Sequence, residues 1–397
     1  MKILVFAYAC EPVKGSEPGA GWAWARMLAG LAEVWVITRE NNRPAIEATL
    51  PSVVEKDSLH FVYLDLPKWA RFWKRGQFGL RPYYLLWNIA ALRKARAFER
   101  SHHFDLVWHV TLANAWLGSA GALVGPPFVF GPVGGGVGIP WRFAGDLGAR
   151  GLAFEAIRAA ARAGGRFANP LTRIAWRRSQ LVLAQNRELI NWLPRRYRAN
   201  AEVFQNFVSD DIAHRNESKA RTRTAVFAGR LVSWKGPALA VRVIALLPDW
   251  RLVFCGTGPD EAFLRRLAKR LGVADRVEFR GWLPRGEFLQ VMREEAGVFL
   301  FPSFRDDSPW AVGEAVLTGV PIVCLNRGGA PILAGSGVPV TTRTETVMAL
   351  AQRVLELSRD GQRGSEDFNV EARRARLREI LSRRGLDRVA PREGMED

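Results

Sequence analysis

Cysteine is nearly absent. Cys10, Cys255 and Cys324 stand far apart and no Cys-x-x-Cys occurs. That excludes a disulfide framework and a thiolate zinc site, and a reducing cytosol is the expected compartment. Histidine is equally scarce, with five in 397 residues. The adjacent pairs Asp210-Asp211 and Asp306-Asp307 lack a histidine or cysteine to complete a ligand set, so no metal is expected. No Ser–His–Asp order stands out, and neither zinc-finger spacing nor an aromatic RNA-binding motif occurs. A long apolar run is missing too. The longest uncharged stretch, residues 106–141, is broken by His109, Asn114, Pro126, Pro127, Pro132 and a glycine cluster. It reads as strand, helix, strand and loop rather than a membrane span. Met1 to Tyr8 is too short for the apolar region of a signal peptide and reads as a buried first strand.

Negative charge is also in short supply: 57 Lys and Arg face 39 Asp and Glu, giving a net charge of +18. Such an excess bears on partners, not on fold. Nucleic acid, anionic lipid headgroups and phosphorylated small molecules all fit. Much of the excess is arginine spread along the chain (Arg173, Arg177, Arg178, Arg195, Arg196, Arg198), which a GC-rich genome also produces. The length suits two domains, and 48% hydrophobic residues suffice for two cores.

Apolar strand candidates alternate with helical stretches. In the first half the strands fall near 2–8, 34–38, 59–64, 105–110, 127–130 and 181–184, with helices over 21–31 and 83–99 among those between. The second half repeats the pattern. Its strands fall near 225–228, 251–255, 277–280, 298–301 and 321–325, and its helices near 237–247, 261–271, 284–294 and 310–318. Alternation of this kind predicts parallel sheets. The fold class is therefore α/β, two Rossmann-like domains whose sheets face a central cleft. A polar stretch from Ser209 marks the linker. The division expected is 1–208, 209–360 and a helical tail, 361–397, that packs back on the first domain. Ligands are expected at the carboxyl ends of the strands.

The richest segment is Ser303-Phe304-Arg305-Asp306-Asp307-Ser308-Pro309-Trp310-Ala311-Val312-Gly313-Glu314. Asp306 ends a strand, and Glu314 rides the helix that begins after Pro309. The first amides of that helix, at Trp310 and Ala311, offer N–H groups to a phosphate. Two carboxylates flanking an anion pocket suit a nucleotide-sugar. Gly229-Arg230-Leu231-Val232-Ser233-Trp234-Lys235-Gly236 follows the first strand of the second half. Arg230 and Lys235 can hold a diphosphate and neutralise it as it leaves; a solvated surface turn is the other reading. Gly256 and Gly258 close the next strand and permit close backbone approach, although an ordinary strand-to-helix turn explains them as well. Trp282, at another strand end, either lies beside a nucleobase or belongs to an ordinary strand-to-helix turn.

In the first half, Gly15 and Gly19 belong to a loop that opens a helix and either covers a phosphate or sugar or is a mere tight turn. It is not a dinucleotide fingerprint, because Trp22-Ala23-Trp24 stands where a third glycine is needed. His109 ends an uncharged strand and either contacts a donor sugar or is a core histidine with satisfied nitrogens. Lys68-Trp69-Ala70-Arg71-Phe72-Trp73-Lys74-Arg75 interleaves cations with aromatics. It reads either as contact with an anionic membrane surface or as a loop packing its rings inward.

Together, these residues resemble glycosyltransferase family 4, the retaining GT-B glycosyltransferases, over nearly the whole chain. The resemblance lies in Gly229-Arg230-Leu231…Lys235-Gly236, in Gly256-x-Gly258-Pro259 and in a Glu-x7-Glu motif whose first position is here Asp306 and second Glu314. Ala9 to Pro12, Gly131 to Gly136 and Ala184 to Arg187 look like a bacterial branch. It implies that Arg230, Lys235 and the amides before the Trp310 helix hold the nucleotide diphosphate. Glu314 would accept from the ribose, and Asp306 and His109 would contact the donor sugar. The first domain would bind the acceptor. The expected activity is retaining, metal-independent transfer of a hexose from a UDP- or GDP-sugar to a saccharide or lipid-linked saccharide, in surface polysaccharide or glycoconjugate assembly. No cofactor beyond the donor is implied. The expected location is the cytoplasm, with peripheral attachment at the inner membrane face. Rivals are a sugar-nucleotide epimerase, a phosphorylase, a non-catalytic relative and a basic nucleic-acid-binding protein.

Overall fold

The computed structural model describes residues 1–12, 14–70, 79–208, 222–360 and 368–387. Two compact units emerge. Residues 1–135, 162–209 and 368–397 form one; residues 136–161 and 210–367 form the other. Chain order puts 136–161 in the first unit, and packing places it in the second.

The first unit carries seven strands: β1 (Lys2–Phe6), β2 (Glu33–Thr38), β3 (Leu59–Tyr63), β4 (Leu106–His109), β5 (Phe128–Val133), β6 (Ser179–Ala184) and β7 (Ala201–Val203). They order as β3-β2-β1-β4-β5-β6-β7, and every pairing is parallel. Central parallel strands are covered on both faces, so β1 is apolar at every position after Lys2. Ile3, Val5 and Ala7 point to one side, packing with Trp24, Val36 and Leu377. Leu4, Phe6 and Tyr8 point to the other, with Ile37, Tyr83 and Trp87. The tail helix Val370–Arg383 joins the first of these cores through Leu377, Ile380 and Leu381. Its Arg373 is buried, with the guanidinium 3.6 Å from the Phe204 ring centroid. Strand β7 is three half-buried residues at the edge, too short to announce itself as an apolar run.

The second unit carries β8 (Thr224–Ala228), β9 (Arg251–Cys255), β10 (Val277–Phe279), β11 (Val298–Phe301) and β12 (Ile322–Cys324), ordered β10-β9-β8-β11-β12 and again all parallel. Its core includes Phe143 from the 136–161 stretch, whose ring centroid lies 4.6 Å from that of Phe304. The α/β class and the parallel sheets are as the alternation predicts. In each sheet the order reverses between its first and fourth strands, at β1/β4 and β8/β11. Ligands bind at such reversals. Among the described residues no helix is long and apolar enough to cross a membrane.

Candidate active site

In the second unit, two loops meet at the reversal. The β8 loop carries Arg230 to Lys235, and the β11 loop carries Pro302 to Asp306. Phe304 N–H donates to the Trp234 carbonyl at 3.0 Å, and Ser303 Oγ reaches the same oxygen at 3.4 Å. A Cβ at Gly236 would lie 2.1 Å from the Pro302 carbonyl oxygen. This close approach brings Lys235 Nζ to 3.0 Å from Asp306 Oδ2. The Asp306 loop is braced from behind, because Gly329 N–H donates to the Asp306 carbonyl at 2.9 Å and Arg327 donates to the Phe304 and Gly138 carbonyls.

Arg230 is exposed and lies over the Trp234 ring at 5.9 Å. It enters no ion pair among the described residues. Trp234 also stacks on Phe154, with centroids 5.1 Å apart and planes inclined by 11°, and takes the Arg305 guanidinium at 5.0 Å. Arg305 pairs with Glu155 at 2.8 Å. Burial, then repulsion from Arg158, pushes the Arg305 pKa down to about 10, against the pull of Glu155. Phe154, Glu155 and Arg158 were invisible to sequence reasoning as site neighbours. They lie some 80 residues from Trp234 and enter through long-range packing.

The helix Trp310–Leu317 starts after Pro309, which supplies no side-chain cap. Its Glu314 sits 3.0 Å from Arg285 Nε and is mostly buried. The carboxylate expected to meet a ribose therefore has a guanidinium partner of its own.

Gly256 and Gly258 have a local packing role. Gly256 has φ +156°, and a Cβ there would lie 2.0 Å from the Gly229 carbonyl oxygen; one at Gly258 would lie 2.3 Å from that of Leu231. Both glycines let the β9 loop press against the β8 loop. Trp282 is 72% exposed beyond β10, at the sheet edge rather than at the reversal.

In the first unit the helix begins at Ser16, five residues before expectation. Ser16 takes φ +62°, and Glu17 accepts from the Leu112 N–H. Proline is tolerated in a first helical turn, so Pro18 does not delay the start. Gly19 accordingly lies buried inside the helix, not in a covering loop; Gly15 alone stays exposed before it. His109 sits at the end of β4 but is fully buried. Its Nε2 lies 3.0 Å from the Thr111 carbonyl and 2.8 Å from Tyr84 Oη, and its Nδ1 lies 2.7 Å from Ser119 Oγ. The carbonyl fixes the proton on Nε2, leaving Nδ1 to accept from Ser119. Desolvation lowers its pKa to about 4. Of the two readings of His109, its burial is that of the core histidine. It is a neutral core histidine, and its polar surroundings come from residues that the sequence pattern does not link to it. Of the basic–aromatic segment, residues 71–75 lie outside the described residues, while Trp69 is 78% exposed.

Residues 208–375 match the family model described as glycosyl transferases group 1. The chain is 34% identical over 113 residues to an uncharacterized glycosyltransferase of Haemophilus influenzae, covering 28% of this chain and 31% of that protein. It is 32% identical over 126 residues to a D-inositol 3-phosphate glycosyltransferase of Corynebacterium glutamicum, covering 29% and 30%. The chain thus spans about a third of the length of the curated relatives it matches. Among solved structures, Anabaena Alr3699/HepE in complex with UDP aligns with 96% of this chain and 100% of its own, at 16% identity and a TM-score of 0.56. That likeness is one of fold.

Proposed function

We propose that the protein is a retaining glycosyltransferase of family 4 that moves a hexose from a UDP- or GDP-sugar to a saccharide or lipid-linked saccharide in surface glycoconjugate assembly. The observation that carries this reading is the meeting of Lys235 and Asp306 at the β8/β11 reversal, 3.0 Å apart, with the exposed Arg230 on the same loop. The match of residues 208–375 and the UDP bound to the Anabaena neighbour support it.

The chemistry follows from charge. A nucleoside diphosphate leaving group develops negative charge as the glycosidic bond breaks, and cations fixed beside it stabilise that charge without reorganising. Arg230 forks onto two phosphate oxygens, and Lys235 supplies a point charge. Asp306 accepts from sugar hydroxyls while holding the Lys235 ammonium in place. The first turn of the helix that begins at Trp310 adds the positive end of a helix dipole. Leaving group and incoming hydroxyl share one face of the sugar, which retains the anomeric configuration, and the two side-chain cations make a divalent ion dispensable. The acceptor is assigned to the first unit.

Each charge-assisted contact contributes about 1.5–3 kcal/mol. Lys235→Ala and Arg230→Ala are therefore each expected to lower the rate of nucleoside diphosphate release from the cognate sugar nucleotide by about 10- to 100-fold, with the melting temperature unchanged. Wild-type rates in both variants would remove the site assignment.

A further inference from the structure

The second unit holds a cavity that this chemistry does not use. It measures about 380 Å³ and lies among residues 145–150, the helix Pro237–Ala245 and the helix Glu261–Arg270. That volume suits a small molecule. Arg230, Lys235 and Asp306 are not part of its lining, although Ser233 of the same loop is. Four arginines line it, Arg150, Arg242, Arg270 and Arg343, together with Asp146 and Asp260.

Arg343 Nε lies 2.8 Å from Asp146 Oδ2, so those two charges offset each other. Asp260 takes the Ser233 N–H and feels the positive charge of Arg150. Arg242 Nε is buried with no hydrogen-bond partner. Arg270 is exposed and enters no ion pair among the described residues. Two of the four cations are thus uncompensated. The planar fork matches two oxygens of a phosphate. Phe263 and Leu264 supply an apolar wall for the rest of a ligand.

We propose that this cavity binds a small phosphorylated molecule, at a site separate from the donor diphosphate. The test uses inorganic pyrophosphate as probe and the full chain carrying Arg230→Ala and Lys235→Ala, so that the donor site is disabled. Calorimetry at physiological ionic strength suppresses loose surface attraction. The expected result is saturable one-to-one binding, weakened by about tenfold or more when Arg150→Glu and Arg270→Glu are added. Both side chains are exposed, and far-UV circular dichroism checks the fold. Arg242→Gln, introduced separately, is expected to weaken binding as well. Absence of saturable binding in the donor-disabled chain, or affinity unchanged by the charge reversals, would overturn the proposal and leave the donor reading untouched.

Discussion

Lys235 and His109 show how one kind of sequence signal can end in opposite places. Each stands by a strand's carboxyl end at a reversal point. Lys235 remains partly exposed because its loop leaves the sheet before turning into a helix. His109 is the last residue of β4, aligned with Phe6 of β1, and the rings of Phe6, Phe130 and Tyr84 close over it. Its burial has a consequence for stability. The folded pKa, about 4, lies below the ordinary 6.5. The unfolded chain therefore takes up a proton that the folded chain refuses, and stability contributed by the neutral ring is lost as pH falls from about 6.5 towards 4. Urea unfolding between pH 7 and 5 is expected to show this decline, at a slope below about 1.4 kcal/mol per pH unit. In His109→Gln that dependence is expected to vanish, on top of a lower baseline stability. An unchanged slope would contradict the neutral assignment.

At the scale of elements, the loops after β8, β9 and β11 fit together by backbone contact. Gly256 is the tightest point, with positive φ and the Gly229 carbonyl where its Cβ would be. Gly256→Ala is expected to destabilise the second unit by about 2 kcal/mol or more. It should also weaken nucleotide binding by displacing the Arg230 loop. A thermal melt and a binding isotherm on the same sample check both; a variant that melts and binds like wild type would show that the loop yields. Much of this unit was legible in the sequence. Apolar runs of four or five residues ending in Gly229, Gly256 and Pro302 mark strand ends, and the alternation gives their direction. Contacts of high sequence separation were not legible. Nothing local in Phe154 or Glu155 points to Trp234 and Arg305, and nothing in Arg285 points to Glu314. The start at Ser16 was missed because a glycine-rich stretch reads as loop when the contact that holds its first turn, Glu17 to Leu112, is nearly a hundred residues away.

For the whole molecule, sequence order and packing part company at residues 136–161, which lie in the first half of the chain and build the second unit. Nothing local in that stretch gives its destination. The basic excess becomes more informative once placed. Several arginines are consumed internally, by Glu155, by Asp65 and by the tail's contacts with Glu55 and Glu202. Arg230, Arg242 and Arg270 are among the arginines of the second unit that enter no ion pair among the described residues, and two of them line a cavity. The central claim is that the β8 and β11 loops form a nucleotide-diphosphate site. Calorimetric titration of the full chain with UDP, GDP and ADP tests it most directly. The account predicts that one of the three binds saturably, that Lys235→Ala or Arg230→Ala weakens this binding by about 10- to 100-fold, and that Arg150→Glu with Arg270→Glu leaves it intact. Binding of none of them, or binding indifferent to Lys235 and Arg230, would contradict it.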